Sequence, residues 1–343
     1  MRDKAIVSAS LNEDERQFEA ALRPSRLDDF AGQSKVKENL KIAIEAAKMR
    51  GEAMDHVLLY GPPGLGKTTL AGIIAAELGV NIQQTSGPVL QKKLDLVGIL
   101  SNLQEREVFF IDEIHRLQPD VEEMIYSALE DFRMDIVIGT GPGARTVAMD
   151  IKRFTAIGAT TRQGIISAPL RGRFGLVLRL NPYETNELAN IVERSARLLS
   201  VTIDRAGAEE IARRSRGTPR IANRLLRRVR DYAQVRAAGH VELEVANKAL
   251  DLLEVDRHGL DEIDQKIMMT VLEKYGGGPV GLGTISAAID EEPGTIEEVY
   301  EPYLMQLGFL DRTPRGRIGT ERAFEYFGVA RTRRGGAQGQ LSF

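Results

Sequence analysis

Cysteine is absent from all 343 residues, which excludes disulfides, thiolate metal sites and cysteine nucleophiles and fits a reducing compartment. No apolar run approaches the ~18 residues that a membrane span needs, and residues 1–7 lack the apolar centre of a signal peptide. The sequence therefore predicts a soluble cytoplasmic protein that works without a membrane. A strong charge of either sign is missing too: the net charge is −3, so bulk attraction does not mark a nucleic-acid binder. The distribution is more telling. Ten arginines fall within 204–236, residues 290–311 are acidic, and 312–334 turn basic again; local patches of this kind can hold phosphate although the average is acidic. Length and an ordinary globular composition predict about two to three domains.

Residues 61–68 read Gly-Pro-Pro-Gly-Leu-Gly-Lys-Thr. The apolar run Val57-Leu58-Leu59-Tyr60 precedes them and a helical pattern follows, which is the context of a phosphate-binding loop. Gly64 and Gly66 let backbone amides turn inward around phosphates, and the helix beyond offers its positive N-terminal end. Lys67 can reach the β and γ phosphates, Thr68 can ligate Mg²⁺, and Thr69 begins the helix beside them.

Val36, Leu40, Ile44 and Ala47 recur at helical spacing over 34–50, with Ser34 as N-cap and Gly51 as stop. Strand 57–60, helix 68–78, strand 108–111, a helix from Pro119 through Leu129 and strand 154–161 follow. Alternating strands and helices imply an α/β fold with a parallel sheet. After Asn181-Pro182 the pattern is almost wholly helical to about 255. Beyond His258-Gly259, helices near 260–275 and 295–307 precede a hairpin around Thr-Pro-Arg-Gly, which suggests a winged helix. The expected domains are 1–183, 184–255 and 256–330, with a disordered tail at 331–343.

Asp112-Glu113 closes the apolar strand 108–111, which in such a sheet places both carboxylates beside the phosphate loop. Asp112 would hold Mg²⁺ together with Thr68, and Glu113 would orient the water that attacks the γ phosphate. Thr160 and Thr161 end the next core strand, where a hydroxyl can bridge that phosphate and the water; Thr161 is the catalytic candidate. Arg171 and Arg173 share a tight Pro-Leu-Arg-Gly-Arg turn able to present a guanidinium to a γ phosphate, and spacing does not choose between them, or between action in cis and in trans. Arg220 begins a helix after Arg-Gly-Thr-Pro and can contact nucleotide phosphate. Arg213, Arg214, Arg224, Arg227 and Arg228 read as a solvated or intersubunit face.

Together these motifs resemble the AAA+ ATPases and, within them, the RuvB family of Holliday-junction branch-migration motors. The match spans nearly the whole chain, through the words Leu22-Arg23-Pro24-Ser25-Arg26-Leu27-Asp28-Asp29-Phe30, Thr85-Ser86-Gly87-Pro88, Asp112-Glu113-Ile114-His115-Arg116, Glu130-Asp131-Phe132 and Ala159-Thr160-Thr161-Arg162. The resemblance implies a P-loop ATPase domain, a small helical lid domain and a C-terminal winged-helix domain. It implies ATP with Mg²⁺, with Leu22, Arg23 and Tyr183 around the adenine and Glu130, Asp131 and Phe132 as further nucleotide contacts. Arg173 becomes the finger that reaches a neighbouring subunit and Arg220 the second sensor. It also implies a homohexameric ring on double-stranded DNA, a RuvA-type junction-binding partner docked on the hairpin 135–150 through Ile136 and Ile138, and a junction resolvase. On the wing, Arg312 and Arg317 would contact DNA phosphates. Relatives usually carry an arginine where Pro293 stands in Glu-Glu-Pro-Gly-Thr, so a phosphate contact is missing there or supplied elsewhere.

Two other classes make different demands. A protein-remodelling ATPase needs an aromatic pore segment between the phosphate loop and Asp112, where Val97-Gly98 offers none. A nucleotide-switched winged-helix regulator would have no use for an intact hydrolytic set.

Overall fold

The computed structural model describes residues 13–138 and 145–331. They form two compact units, one of Glu19–Ile191 with Gly217–Arg220, the other of 192–216 and 221–331 with 13–18. No helix among the described residues is long and apolar enough to cross a membrane.

Helices α1 (Glu13–Leu22) and α2 (Ser34–Arg50) lead to β1 (Val57–Tyr60), α3 (Lys67–Leu78), β2 (Ile82–Ser86), α4 (Lys93–Leu100), β3 (Val108–Asp112) and α5 (Pro119–Glu130). A hairpin of β4 (Arg133–Ile138) and β5 (Arg145–Asp150) follows, then β6 (Thr155–Thr160), α6 (Ala168–Arg171), β7 (Leu176–Arg179) and α7 (Thr185–Leu198). The main sheet has the order β2-β3-β6-β1-β7 and every pairing in it is parallel. All of β6 and the first three residues of β1 are buried, so these strands read as continuous apolar runs rather than alternating ones, as a sheet covered on both faces requires. Shared polarity puts the carboxyl ends of β1, β3 and β6 along one edge, where ligands bind in sheets of this kind.

α2 buries the expected stripe of Val36, Leu40, Ile44 and Ala47, and Gly51 ends it at φ 69°. Its start differs. Ser34 is the first helical residue and Gln33 precedes it in left-handed backbone with no side-chain cap, because the Gln33 amide is spent elsewhere: Nε2 donates to the Asn181 carbonyl at 2.6 Å and Oε1 accepts from the Asn181 amide at 3.2 Å. In the hairpin, β4 and β5 pair antiparallel with Ile136 opposite Val147. Met134 is fully buried while Val147 is 45% exposed. The hairpin turn and the Ile138 side chain lie outside the described residues.

The second unit continues with β8 (Thr202–Ile203), α8 (Arg205–Arg213), α9 (Pro219–Arg236), β9 (His240–Val241) and α10 (Leu243–Leu252). It is helical as expected, apart from the short parallel pairing of β8 with β9. Next come α11 (Glu262–Met269), extended by a π turn over Thr270–Lys274, then α12 (Leu282–Ile289), α13 (Pro293–Thr295), a π turn over Ile296–Tyr300, α14 (Glu301–Gln306), β10 (Leu310–Thr313), β11 (Gly316–Gly319) and α15 (Glu321–Phe327). Ile267, Met268, Ile285, Ile296, Tyr300 and Phe309 pack its centre. Helices closed by an antiparallel hairpin are the winged helix the sequence suggests. α12 was not among the expected elements. Beyond Arg331, the tail expected to be disordered lies outside the described residues.

Arg214 corrects the expectation of a solvated arginine face. It is buried, and donates to Glu210 at 2.7 Å, Asp251 at 2.7 Å, Asn247 at 2.7 Å and the Val255 carbonyl at 2.6 Å. Arg216 is likewise buried, donating to the Gly259 carbonyl at 2.6 Å and pairing with Asp264. Burial pushes the Asp264 carboxyl well up from its ordinary range, although the Arg216 guanidinium opposes the shift. Removing one member of such a pair leaves a charge desolvated, which costs about 3–5 kcal/mol. Arg216→Ala should therefore lower the unfolding free energy of this unit, read from denaturant titration, by that much, whereas Arg213→Ala, whose side chain is 48% exposed, should change it little; equal small changes would show that the buried pair contributes nothing.

Candidate active site

The loop between β1 and α3 is shaped by glycine. Gly61, Gly64 and Gly66 have φ of 144°, 79° and 101°, a region that side chains with a Cβ avoid. A Cβ on Gly64 would also lie 2.7 Å from Thr218 Cγ2, and one on Gly66 3.0 Å from the Phe30 ring. Lys67 opens α3 and is buried, with Nζ donating to the carbonyls of Gly61 and Pro62, both at 2.8 Å. The ammonium thus sits inside the loop, where incoming phosphate oxygens can replace carbonyls. Burial lowers its pKa to about 8, Asp112 opposes that shift and Arg220 adds to it.

Thr68 Oγ1 donates to Asp112 Oδ2 at 3.2 Å, while Asp112 Oδ1 accepts the Glu113 amide at 2.9 Å. Glu113 takes left-handed backbone at φ 47°, which turns the chain away from β3, and its carboxylate accepts from Arg116 at 2.8 Å. Both members of that pair are about half exposed, and such pairs contribute about 0–1 kcal/mol, so Glu113 can leave Arg116 at little cost. Thr160 is the last residue of β6; its hydroxyl is 3.0 Å from His115 Nδ1 and accepts the Arg162 amide at 2.9 Å. Thr161 follows it and is exposed at the same sheet edge. Thr69 stands half-buried beside Thr68.

Gly217–Arg220 belongs to this unit. It brings Thr218 and Arg220 against Gly64, and Arg220 Nε lies 3.3 Å from Glu19 Oε1. Tyr183 is buried, its amide donating to the Gly217 carbonyl at 2.9 Å and its hydroxyl to the Leu65 carbonyl at 3.2 Å. Leu22 is buried and Arg23 exposed. The structure therefore gathers Gly64, Gly66, Lys67, Thr68, Asp112, Tyr183 and Arg220 around one loop. Phe30, Thr218, Glu19 and Arg116 join them without having been singled out; Phe30 and Arg116 stood within the recognised words, whereas Glu19 and Thr218 carried no signal of their own.

Glu130, Asp131 and Phe132 are not part of that gathering. Phe132 packs edge-on against Phe154 at 5.8 Å and lies 6.0 Å from the His56 ring; these two residues immediately precede β6 and β1. His56 fixes the arrangement by bonding the Leu129 carbonyl at 3.0 Å and accepting the Ala156 amide at 2.9 Å. The segment thus sits at the amino edge of the sheet, opposite the phosphate loop. Arg173 is at that edge too, just ahead of β7, ion-paired with Glu130. Within one chain Glu130, Asp131 and Phe132 stand away from the phosphate loop, as does Arg173, whose implied role is toward a neighbouring subunit's nucleotide, because parallel strands place the two groups at opposite ends.

On the wing, Arg312 is half exposed and pairs with Glu297 at 2.6 Å. Arg317 is the second wing candidate. It is buried, with Nε 2.5 Å from Glu301 Oε1 and Nη2 3.0 Å from Oε2. The β11 backbone is paired on its far side with Val280, whose amide and carbonyl both bond the Arg317 backbone, while the Arg317 side chain is held by the buried Glu301 carboxylate. Pro293 starts the α13 turn, where its missing amide costs nothing.

Phosphate loop, magnesium-compatible Thr68–Asp112 pair, helical lid and winged helix define a P-loop ATPase of the AAA+ class. Residues 22–180 match the family model of the Holliday junction DNA helicase RuvB P-loop domain, 183–256 that of the RuvB AAA lid domain, and 257–328 that of the RuvB C-terminal winged helix domain. The Holliday junction branch migration complex subunit RuvB of Solibacter usitatus (strain Ellin6076) is 72% identical over 336 residues, 98% of each chain. Its counterpart from Koribacter versatilis (strain Ellin345) is 63% identical, covering 94% of this chain and 89% of that one. A structure of the Thermotoga maritima RuvB Holliday junction branch migration motor superposes with a TM-score of 0.83 at 53% identity, over 90% of this chain and 99% of that one. The chain belongs to the RuvB family.

A bound phosphate raises the Lys67 pKa above its value of about 8 in the empty site, because the new anion favours the charged form. Below pH 8 the ammonium is already protonated and affinity is level; above it, binding must take up a proton, so nucleotide affinity should fall as pH rises. Calorimetry in two buffers of different ionisation enthalpy at pH 9 should show proton uptake, and none at pH 7; equal uptake at both would contradict the buried ammonium.

Proposed function

We propose that the chain is the ATP-driven motor of Holliday-junction branch migration in recombination and repair, acting as a homohexameric ring. The observation that carries this reading is the division of the hydrolytic residues between the two edges of one sheet. Lys67, Thr68, Asp112, Glu113, Thr161 and Arg220 belong to the phosphate-loop edge, Arg173 and Glu130 to the other. A second copy whose amino edge faces the first copy's phosphate loop supplies the missing guanidinium, and a ring repeats that contact around its circumference.

Thr68 and Asp112 present hard oxygen donors to each other across 3.2 Å, which fits Mg²⁺, an ion held by few protein oxygens together with substrate phosphates. When bound there it neutralises charge on the β and γ phosphates. Lys67 exchanges its loop carbonyls for phosphate oxygens. Glu113 leaves Arg116 and accepts a proton from the attacking water, and Thr161 holds that water in line. Arg173 of the adjoining copy stabilises the charge that develops on the transferred group, a contribution of roughly 10³–10⁵ in rate. Leu22, Arg23 and Tyr183 border the adenine, and Glu130, Asp131 and Phe132 reach nucleotide only across the subunit boundary.

Arg312 serves as a phosphate contact on duplex DNA, a grip without sequence reading that suits a translocating motor. Arg317 instead braces the wing through Glu301. The hairpin face carrying Ile136 and the exposed Val147 suits a RuvA-type junction-binding partner, and a junction resolvase would act on the same complex.

Glu113→Gln should leave ATP bound and uncleaved, so nucleotide affinity near the parent value with turnover lost is the expected result; unchanged turnover would remove Glu113 from the reaction. Arg312→Ala should make the log-log salt dependence of duplex binding shallower by about one unit, and Arg317→Ala should lower winged-helix stability first. A shallower slope in Arg317→Ala alone would reverse the two assignments.

A further inference from the structure

Glu122, Tyr126 and Glu130 stand four residues apart along α5, forming one column on its surface. The column faces the segment that carries Arg173. At its first end, the hydroxyls of Tyr126 and Ser167 both donate to Glu122 Oε1 and lie 3.0 Å from each other. Ser167 is the N-cap of α6, its Oγ accepting the Leu170 amide at 3.2 Å. At the far end, Glu130 pairs with Arg173 Nη2. Between them the Tyr126 ring lies under the guanidinium, 5.8 Å from Cζ to the ring centroid. One helix face therefore grips both the base and the tip of the turn that presents Arg173.

The hold on the tip is incomplete. Arg173 Nη1 reaches the Pro169 carbonyl only at 3.4 Å, and its buried Nε has no hydrogen-bond partner. Glu130 is 58% exposed in its side chain, so this pair is a weak one and a γ phosphate can displace it. Ring and cap remain when Glu130 is displaced. Burial and the Glu122 carboxylate push the Tyr126 hydroxyl up from its usual range, which keeps it a donor at neutral pH.

We infer that Tyr126, anchored through Glu122 and Ser167, is the positioning residue for the Arg173 finger: it sets where the guanidinium stands when a neighbouring copy's nucleotide arrives. The inference rests on the reading of Arg173 as a finger in trans, and mixed rings separate the two. Because a misplacement of about 1 Å can cost 10²-fold, Tyr126→Leu should lower kcat for ATP by about that factor while leaving KM and nucleotide affinity nearly unchanged. Tyr126→Phe, which keeps the ring and loses the hydroxyl, should fall between Tyr126→Leu and the parent. Mixing Tyr126→Leu with Lys67→Ala subunits should restore turnover, since each Tyr126→Leu site next to a Lys67→Ala copy receives an intact finger. If Arg173→Ala is restored by Lys67→Ala but Tyr126→Leu is not, Tyr126 acts on its own subunit and the inference fails alone. If neither pair is restored, the finger reading fails and takes the inference with it. An unaltered kcat in Tyr126→Leu, or loss of nucleotide binding in that variant, would also overturn it.

Discussion

Every strand of the main sheet runs the same way, and that polarity decides what a single chain can assemble. Loops leaving the carboxyl ends of β1, β3 and β6 collect Lys67, Asp112, Glu113 and Thr161 at one edge, while the turns entering β6 and β7 hold Phe132, Glu130 and Arg173 at the other. No rotamer change carries a guanidinium across the length of a strand. On the proposed reading, the chemistry that the phosphate loop prepares is completed by a neighbour, and a ring would repeat that contact.

Arginine is abundant in this chain, and burial sorts its uses. Arg214, Arg216 and Arg317 are enclosed and matched to carboxylates at hydrogen-bond distance. Exchanging those partners for a ligand would strand a desolvated charge at a cost of about 3–5 kcal/mol. Arg116, Arg173 and Arg312 are paired at the surface, where each pair contributes about 0–1 kcal/mol, and such arginines can change partner during a cycle.

Most of the architecture was legible in the amino-acid order. The apolar runs at 57–60, 108–111 and 154–161 became strands because sheet residues covered on both faces need not alternate, and the 36-40-44-47 stripe became the buried face of α2. α12 was not legible: Gly281 and Gly283 break its pattern and Ile285 is its one buried residue. Charge density along the chain also misled for Arg214, since a run of arginines looks alike whether solvent or Glu210 receives it. For the site, the loop and its acids were readable as local words, whereas the separation of Glu130, Asp131 and Phe132 from the phosphate loop is a property of three-dimensional strand polarity that no local word records.

The claim that one copy completes another's site is tested most directly by following ATP turnover per chain as protein concentration is lowered through the range in which sedimentation velocity shows assembly giving way to single chains. Turnover per chain should collapse together with the assembled fraction while nucleotide binding by the separated chains persists. Turnover per chain that stays level into the fully dissociated range would show that a single copy holds a complete site.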